Sequence, residues 1–181
     1  MRKLKSNKGF TFVEMLACVI TLLLLSAICG LGTDLAMRSY SESVFESDSQ
    51  MLESTVDLYV LDILRHAYDP VTTDVENPDN PNEKEVKSFS NRSYGILHGN
   101  IVLEDNPSDS RYGRLLVIQN KEDTTGTIIL SENVYTGNIL ITDFKLWYNE
   151  AEGYFSGTYT LTGNGESRVC TFSCRIATVY E

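Results

Sequence analysis

Between Phe10 and Gly32 the chain runs for twenty-three residues with a single charge, Glu14. At about 1.5 Å per residue, a helix of that length covers roughly 35 Å, enough to cross a ~30 Å hydrocarbon layer. No other segment of the sequence is long and apolar enough to span. What flanks the run fixes a direction. The nine residues before it hold Arg2, Lys3, Lys5 and Lys8 and no acid, whereas the chain as a whole carries a formal charge of −10. Removing those nine residues takes the charge to −14. A basic flank, an apolar run and an acidic body place the flank in the cytoplasm and the body outside. The 181 residues suffice for one domain with a real core and are too few for two ordinary ones.

Three kinds of export signal fit the outline. A secretory signal peptide needs small residues before its cut, and Gly30-Leu31-Gly32 could supply them, but it has no use for a carboxylate in its apolar stretch. A lipoprotein signal needs a small residue before Cys29, and Ile28 is not small. The third reading accounts for Glu14. The run Lys8-Gly9-Phe10-Thr11-Phe12-Val13-Glu14-Met15-Leu16 resembles the class III signal of type IV prepilins and pseudopilins: a short basic leader, Gly at the cut, Phe next, and Glu fifth in the mature chain. Gly9 lets an extended backbone enter a protease site without a side chain in the way.

The resemblance implies a set of roles. Prepilin peptidase, a membrane aspartic protease, would cut between Gly9 and Phe10 and N-methylate Phe10. Glu14 would pair with the N-terminal amine of a neighbouring subunit during assembly. A carboxylate deep in a bilayer costs on the order of 3 kcal/mol, less near a helix end where it can snorkel to headgroups, so such residues are usually functional. Once buried, the pair would set axial register, because breaking it strands a charge. The implied partners are the peptidase, sister pilin or pseudopilin subunits, an inner-membrane assembly platform and, before assembly, membrane lipid.

Past the apolar run the helix is expected to continue. Residues 33 to 66 lack Pro and Gly, and Leu35, Tyr40, Val44, Met51, Leu52, Val56, Tyr59, Val60, Ile63 and Leu64 recur mostly three or four apart. Arg65 and His66 suit a helix C-terminus, and Pro70 stops it. Residues 70–93 carry Pro70, Pro78 and Pro81 without apolar periodicity and read as a polar loop. Its Glu76, Asn77, Asp79, Asn80, Asn82 and Glu83 raise the question of calcium. Their spacing matches no standard calcium loop and two prolines interrupt them, so a solvated linker is the expectation. Asn91-Arg92-Ser93 fits a glycosylation sequon but has no place in a prokaryotic prepilin.

Residues 94–181 read as strands: Tyr94–Leu103, split into a hairpin at Gly99-Asn100, then Arg114–Gln119 as a central strand, Thr127–Ser131, Asn138–Tyr148, Tyr154–Leu161 and Arg168–Tyr180. Leu140, Phe144, Leu146 and Tyr148 are assigned to one face, as are Cys170, Phe172, Cys174 and Ile176. The resulting organisation is a leader (1–9), an apolar half-helix (10–32), an amphipathic half-helix (33–69), the loop and an antiparallel sheet packed on the helix. This is an α+β class with type IV pilin-like architecture. Cys170 and Cys174 stand about 13 Å apart along one strand, too far for a disulfide. Many Gram-negative pilins close their C-terminal region with one, and its absence leans toward a Gram-positive or pseudopilin relative.

No catalytic, metal or cofactor motif is present. His66 and His98 are the only histidines, and neither lies in a nucleophile elbow or metal spacing. The expectation is a non-enzymatic structural subunit, pilin or minor pseudopilin, without cofactors. The long helix followed by many strands resembles J-type minor pseudopilins and their competence counterparts in architecture, and adhesion, motility, type II secretion and competence machines share the N-terminal motif. Two rivals remain: an uncleaved single-span anchor carrying a ligand-binding domain, and a competence tip subunit touching DNA. So acidic a body is not expected to bind nucleic acid unless Arg111, Arg114, Lys145, Arg168 and Arg175 gather on the folded sheet.

Overall fold

The structure is a computed structural model that describes residues 11–120, 122–123, 125–130, 134–135 and 139–177. The chain divides into two compact units, Met1–Glu42 and Ser43–Glu181. One helix, α1 (Phe12–Arg65), supplies the described part of the first and opens the second.

In the first unit the described part of the helix is exposed on every side. Leu22, Leu23, Leu24 and Leu25 are each more than half exposed, and the most apolar window of the helix has no buried residue. Apolar side chains have no reason to face water in this way, and the segment is long and apolar enough to cross a membrane. Its few hydroxyls are satisfied within the helix. Thr21 Oγ1 donates to the carbonyls of Ala17 (3.0 Å) and Cys18 (2.9 Å), Ser26 Oγ to Leu23 (3.1 Å), and Thr33 Oγ1 to Cys29 (3.1 Å) and Gly30 (2.9 Å). In hydrocarbon, where water cannot serve as partner, this is the arrangement a spanning helix requires.

In the second unit the helix turns one stripe inward: Phe45, Ser49, Leu52, Val56, Val60, Ile63 and Leu64. Full burial of the six apolar side chains of this stripe contributes about 1.5–3 kcal/mol each. The amphipathic register is thus narrower than the apolar pattern suggests, since Leu35, Tyr40, Met51 and Tyr59 remain exposed. Against the stripe lie eight antiparallel strands: β1 (Tyr68–Asn77), β2 (Asn80–Asn91), β3 (Ile96–Leu103), β4 (Leu115–Ile118), β5 (Thr127–Ile128), β6 (Leu140–Asn149), β7 (Tyr154–Gly163) and β8 (Glu166–Arg175). Their order is β5-β4-β3-β2-β6-β7-β8, with β1 paired to β2. Two meanders therefore meet where β2 pairs β6, and an α+β fold with a helix under an antiparallel sheet results. After β8, the Ala177 amide donates to the carbonyl of Arg65 (2.8 Å), closing the end of the helix with the end of the sheet.

Several sequence expectations need correction. Residues 70–93 are not a loop: β1 and β2 form a hairpin that turns at Pro78-Asp79 between Asn77 and Asn80. No residue of β1 is buried, so the pattern by which a half-buried strand is recognised never forms. Its Pro70 sits where an edge strand tolerates proline. The helix half written as 33–69 ends at Arg65, and the sheet begins at Tyr68 rather than at 94. Gly99-Asn100 makes no turn; it lies within β3, with Gly99 opposite Phe89. A Cβ on Gly99 would meet the Ile118 carbonyl oxygen at 1.8 Å, so close strand packing, not a hairpin, explains this glycine. The strand at 114–119, β4, is buried but lies next to the sheet edge formed by two-residue β5.

The face assigned to β6 breaks at a bulge. Pairing with β7 jumps from Thr142↔Thr160 to Lys145↔Thr158, and Asp143, at φ 52°, absorbs the extra residue. Before the bulge Ile141 faces the core, and after it Leu146 does, so Leu140 does not share the face of Leu146. On β8, by contrast, Cys170, Phe172 and Cys174 are all buried on one face, with Ile176 packed alongside them. The four described cysteines are free. Phe172 lies across β7 at Gly157, where a Cβ would come within 2.3 Å of the ring and 2.7 Å of the Lys145 carbonyl oxygen.

Two outcomes follow from this packing. Gly157→Ala should cost about 1–3 kcal/mol by overpacking, because the strand backbone cannot yield as a flexible side chain would. Thermal unfolding followed by near-UV circular dichroism reads that loss. A chain starting at Thr33 retains the whole Ser43–Glu181 unit and should give a folded mixed α/β far-UV spectrum without detergent.

Candidate assembly site

Of the three residues singled out at the N-terminus, Gly9 and Phe10 lie outside the described residues. Glu14 lies in the first turn of α1, and its surroundings add a role that the sequence reading missed. Glu14 Oε2 accepts from the Thr11 amide (2.8 Å) and from Thr11 Oγ1 (2.9 Å), while the Glu14 amide donates back to Thr11 Oγ1 (3.3 Å). This is a capping box. Thr11 is the N-cap and Glu14 the third helical position, and each satisfies a backbone donor that would otherwise be orphaned. The signal, Thr-x-x-Glu before an apolar run, was present in the sequence. The carboxylate sits where the helix dipole is positive and the residue remains exposed, with Oε2 serving the cap.

In the second unit, the calcium question resolves into a closed hydrogen-bond network. Glu83 is buried, and both its oxygens are occupied. Asn77 Nδ2 (2.6 Å) and Ser156 Oγ (2.7 Å) donate to Oε2, and Asn80 Nδ2 (2.9 Å) and Tyr154 Oη (2.7 Å) to Oε1. The two Asn carbonyl oxygens are spent on the amides of Asp79 and Asn82. The run is a hairpin turn fastened to β7 through one carboxylate. Among the described residues no group of three or more His, Cys, Asp or Glu is arranged to hold a metal ion.

Burial is the largest single influence on Glu83 and raises its pKa, but the hydrogen bonds from Ser156, Tyr154, Asn77 and Asn80 together outweigh it and leave the value lowered. A carboxyl whose folded pKa is depressed contributes stability above its ordinary range, and that contribution fades as pH falls through the depressed value.

Three of the five cations named for a polyanion surface are engaged by other side chains of the protein. Arg168 points inward from β8 to the helix, with Nη1 on Glu46 and Nη2 2.9 Å from Glu53. Arg111 is held by Asp109 (2.9 Å) and Glu104 (3.6 Å). Arg114 lies 5.3 Å from the centre of the Tyr135 ring. Lys145 and Arg175 are exposed, but Lys145 lines up through Thr158 with Thr171, four residues from Arg175 and hence about 13 Å away along the strands. Beside Arg168, Tyr159 Oη donates to Asp57 Oδ1 (2.9 Å), and desolvation raises the pKa of Asp57. The sequon asparagine is also accounted for. Asn91 is fully buried, with Nδ2 donating to the Ile63 carbonyl (2.6 Å), which leaves no access for a glycan.

No family model, curated protein or solved structure matches the chain.

Glu83→Gln replaces an acceptor by an amide that turns a donor toward other donors. It should cost about 1–3 kcal/mol. Acid titration followed by circular dichroism gives a second readout. The variant should lose part of the decline in stability that the parent shows below the ordinary carboxylate range.

Proposed function

We propose that this protein is a structural subunit of a type IV filament machine, a pilin or minor pseudopilin, matured at Gly9–Phe10 and assembled through the first half of α1. The observation that carries the reading is the N-terminal helix itself. Its apolar surface is left uncovered by the described residues, and it carries a single carboxylate in its first turn. A simple anchor needs the apolar surface but gains nothing from the acid beyond a cap. In a filament, the exposed apolar surfaces of neighbouring helices bury one another, and the carboxylate of Glu14 receives the amine of the adjacent subunit. Exposed Cys18 and Cys29 serve in such packing as small apolar residues.

The reading assigns prepilin peptidase, sister subunits and an inner-membrane platform as partners, and a path from the cytoplasmic membrane to a filament outside it. The dispersal of cations on the sheet favours a structural subunit over a DNA-binding tip, so any part in DNA uptake would go through the assembled fibre.

Mapping the N-terminus in cells that hold the cognate peptidase tests maturation. The chain should begin at methylated Phe10 and contain 172 residues, and Gly9→Leu should leave it uncut. An uncut parent chain would favour the membrane-anchored rival. For Glu14, the capping box provides a control that separates its two duties. Glu14→Gln keeps an acceptor for the Thr11 amide and loses the charge, whereas Glu14→Ala loses both. Filament incorporation should fall for both variants, with cleavage intact in each. Incorporation of Glu14→Gln at the parental level would mean that the residue serves the cap alone.

A further inference from the structure

Sequence order places a single Asp-Pro bond in the chain, Asp69–Pro70. It lies where α1 has ended and β1 has just begun. Asp-Pro is the peptide bond most open to attack from its own side chain. The carboxylate can close a five-membered ring on the backbone carbonyl, and the proline nitrogen, once protonated, leaves as a secondary amine. In most chains that chemistry is slow because nothing holds the bond in a reactive shape. Three features distinguish this one.

The first is its backbone. Asp69 has φ 53°, left-handed for a residue with a side chain, and the following proline crowds it further. Pairing with β2 jumps from Tyr68↔Ser90 to Val71↔Ser88, so Asp69 and Pro70 stand together opposite one residue, Phe89, in a bulge outside the ladder. A left-handed, pre-proline residue persists only where its surroundings impose it, and here the pairing of β1 with β2 on both sides of the bulge does so. The second is His98, whose Nδ1 lies 4.0 Å from Asp69 Oδ2. His98 is itself left-handed, at φ 54°, and its amide donates to Ser90 Oγ (3.1 Å), the residue that pairs with Tyr68. The imidazole is therefore positioned by the same pairing that creates the bulge. The third is access. The side chains of Asp69 and His98 are 64% and 60% exposed, so water and protons reach them. The neighbouring charges are of both signs: Lys87, Glu122 and Asp123 line the same groove as His98, and Arg92 lies over the Tyr68 ring at 5.6 Å.

We propose that Asp69–Pro70 is a self-cleavage site, broken in mild acid by the carboxylate of Asp69 with His98 as its positioning residue. In the first step an Asp69 Oδ forms a bond to the carbonyl carbon of Asp69. The C–N bond to Pro70 breaks, and the proline nitrogen takes a proton from solvent and leaves as an amine. The cyclic anhydride left on Asp69 is then opened by one water, giving its two carboxyls. No oxidant or reductant is needed. The products are a membrane-anchored helix ending at Asp69 and a sheet beginning at Pro70, held together by the buried helix stripe and by the bonds of Arg168, Tyr159, Asn91 and Ala177 to the helix.

The test uses the full chain in detergent micelles in mild acid, at about pH 5. Intact mass measures cleavage, and circular dichroism verifies that the fold persists. Fragments ending at Asp69 and starting at Pro70 should appear about tenfold faster from the folded chain than from the same chain unfolded in guanidinium. Asp69→Asn should stop the reaction in both states, and His98→Ala should bring the folded rate down toward the unfolded one. A folded chain cut no faster than the unfolded chain overturns the proposal, and that comparison needs no variant. A well-folded His98→Ala protein cut at the parental rate removes His98 from it.

Discussion

The structure depends on where one helix can hide its apolar side chains. From Phe12 to Leu31 every large apolar residue is exposed, and from Phe45 on, a stripe of one in three or four is buried by the sheet. Water tolerates the second arrangement and not the first. The polar groups obey the same division. Hydroxyls in the first segment turn back onto the helix, whereas in the second unit Asp57, Glu53 and Glu46 reach across to Tyr159 and Arg168. Every other element can be placed from this change of surroundings within one sequence: the sheet is what the second stripe needs to be covered.

Charge performs local fastening rather than long-range attraction. Arg168 bridges two helix turns from an edge strand, and such an inward-pointing charge also discourages further strands from adding at that edge. Arg111 closes its loop onto Asp109, whose carboxyl is held down to about 2 by the side-chain and backbone hydrogen bonds of Arg111. A buried carboxylate, Glu83, fixes the β1–β2 hairpin to β7. An acidic protein thus spends its few buried or bridging charges on tying separate strands together.

How much of this was legible depended on whether one face of an element was apolar. β8 was readable because Cys170, Phe172 and Cys174 alternate with Thr171 and Ser173. The apolar half of α1 was readable by length alone. β1 was not, because a strand solvated on both faces has no alternation to read. β6 misled because the bulge at Asp143 reverses which residues face inward, and a bulge is decided by its partner strand. Gly99 looked like a turn because crowding by Ile118 is a tertiary fact. At the start of α1 Glu14 was singled out for its charge in an apolar run, while its bond to Thr11 followed from spacing that was equally visible. The fastening of Glu83 was beyond reach, since Tyr154 and Ser156 lie some seventy residues along the chain.

The bond from Ala177 to Arg65 also bears on timing. It joins residues more than a hundred positions apart, and the last carbonyls of the helix wait for it. The central seam, β2 against β6, also joins distant segments, Glu83 with Asn149. Contacts of such separation form late, after the entropy of closing long loops has been overcome. Synthesis runs in the opposite sense, since the N-terminal helix leaves the ribosome first and can enter the bilayer while the strands are still unmade. The domain therefore completes its fold with its N-terminal helix already made, and the tail arrives last to seal the helix that began it.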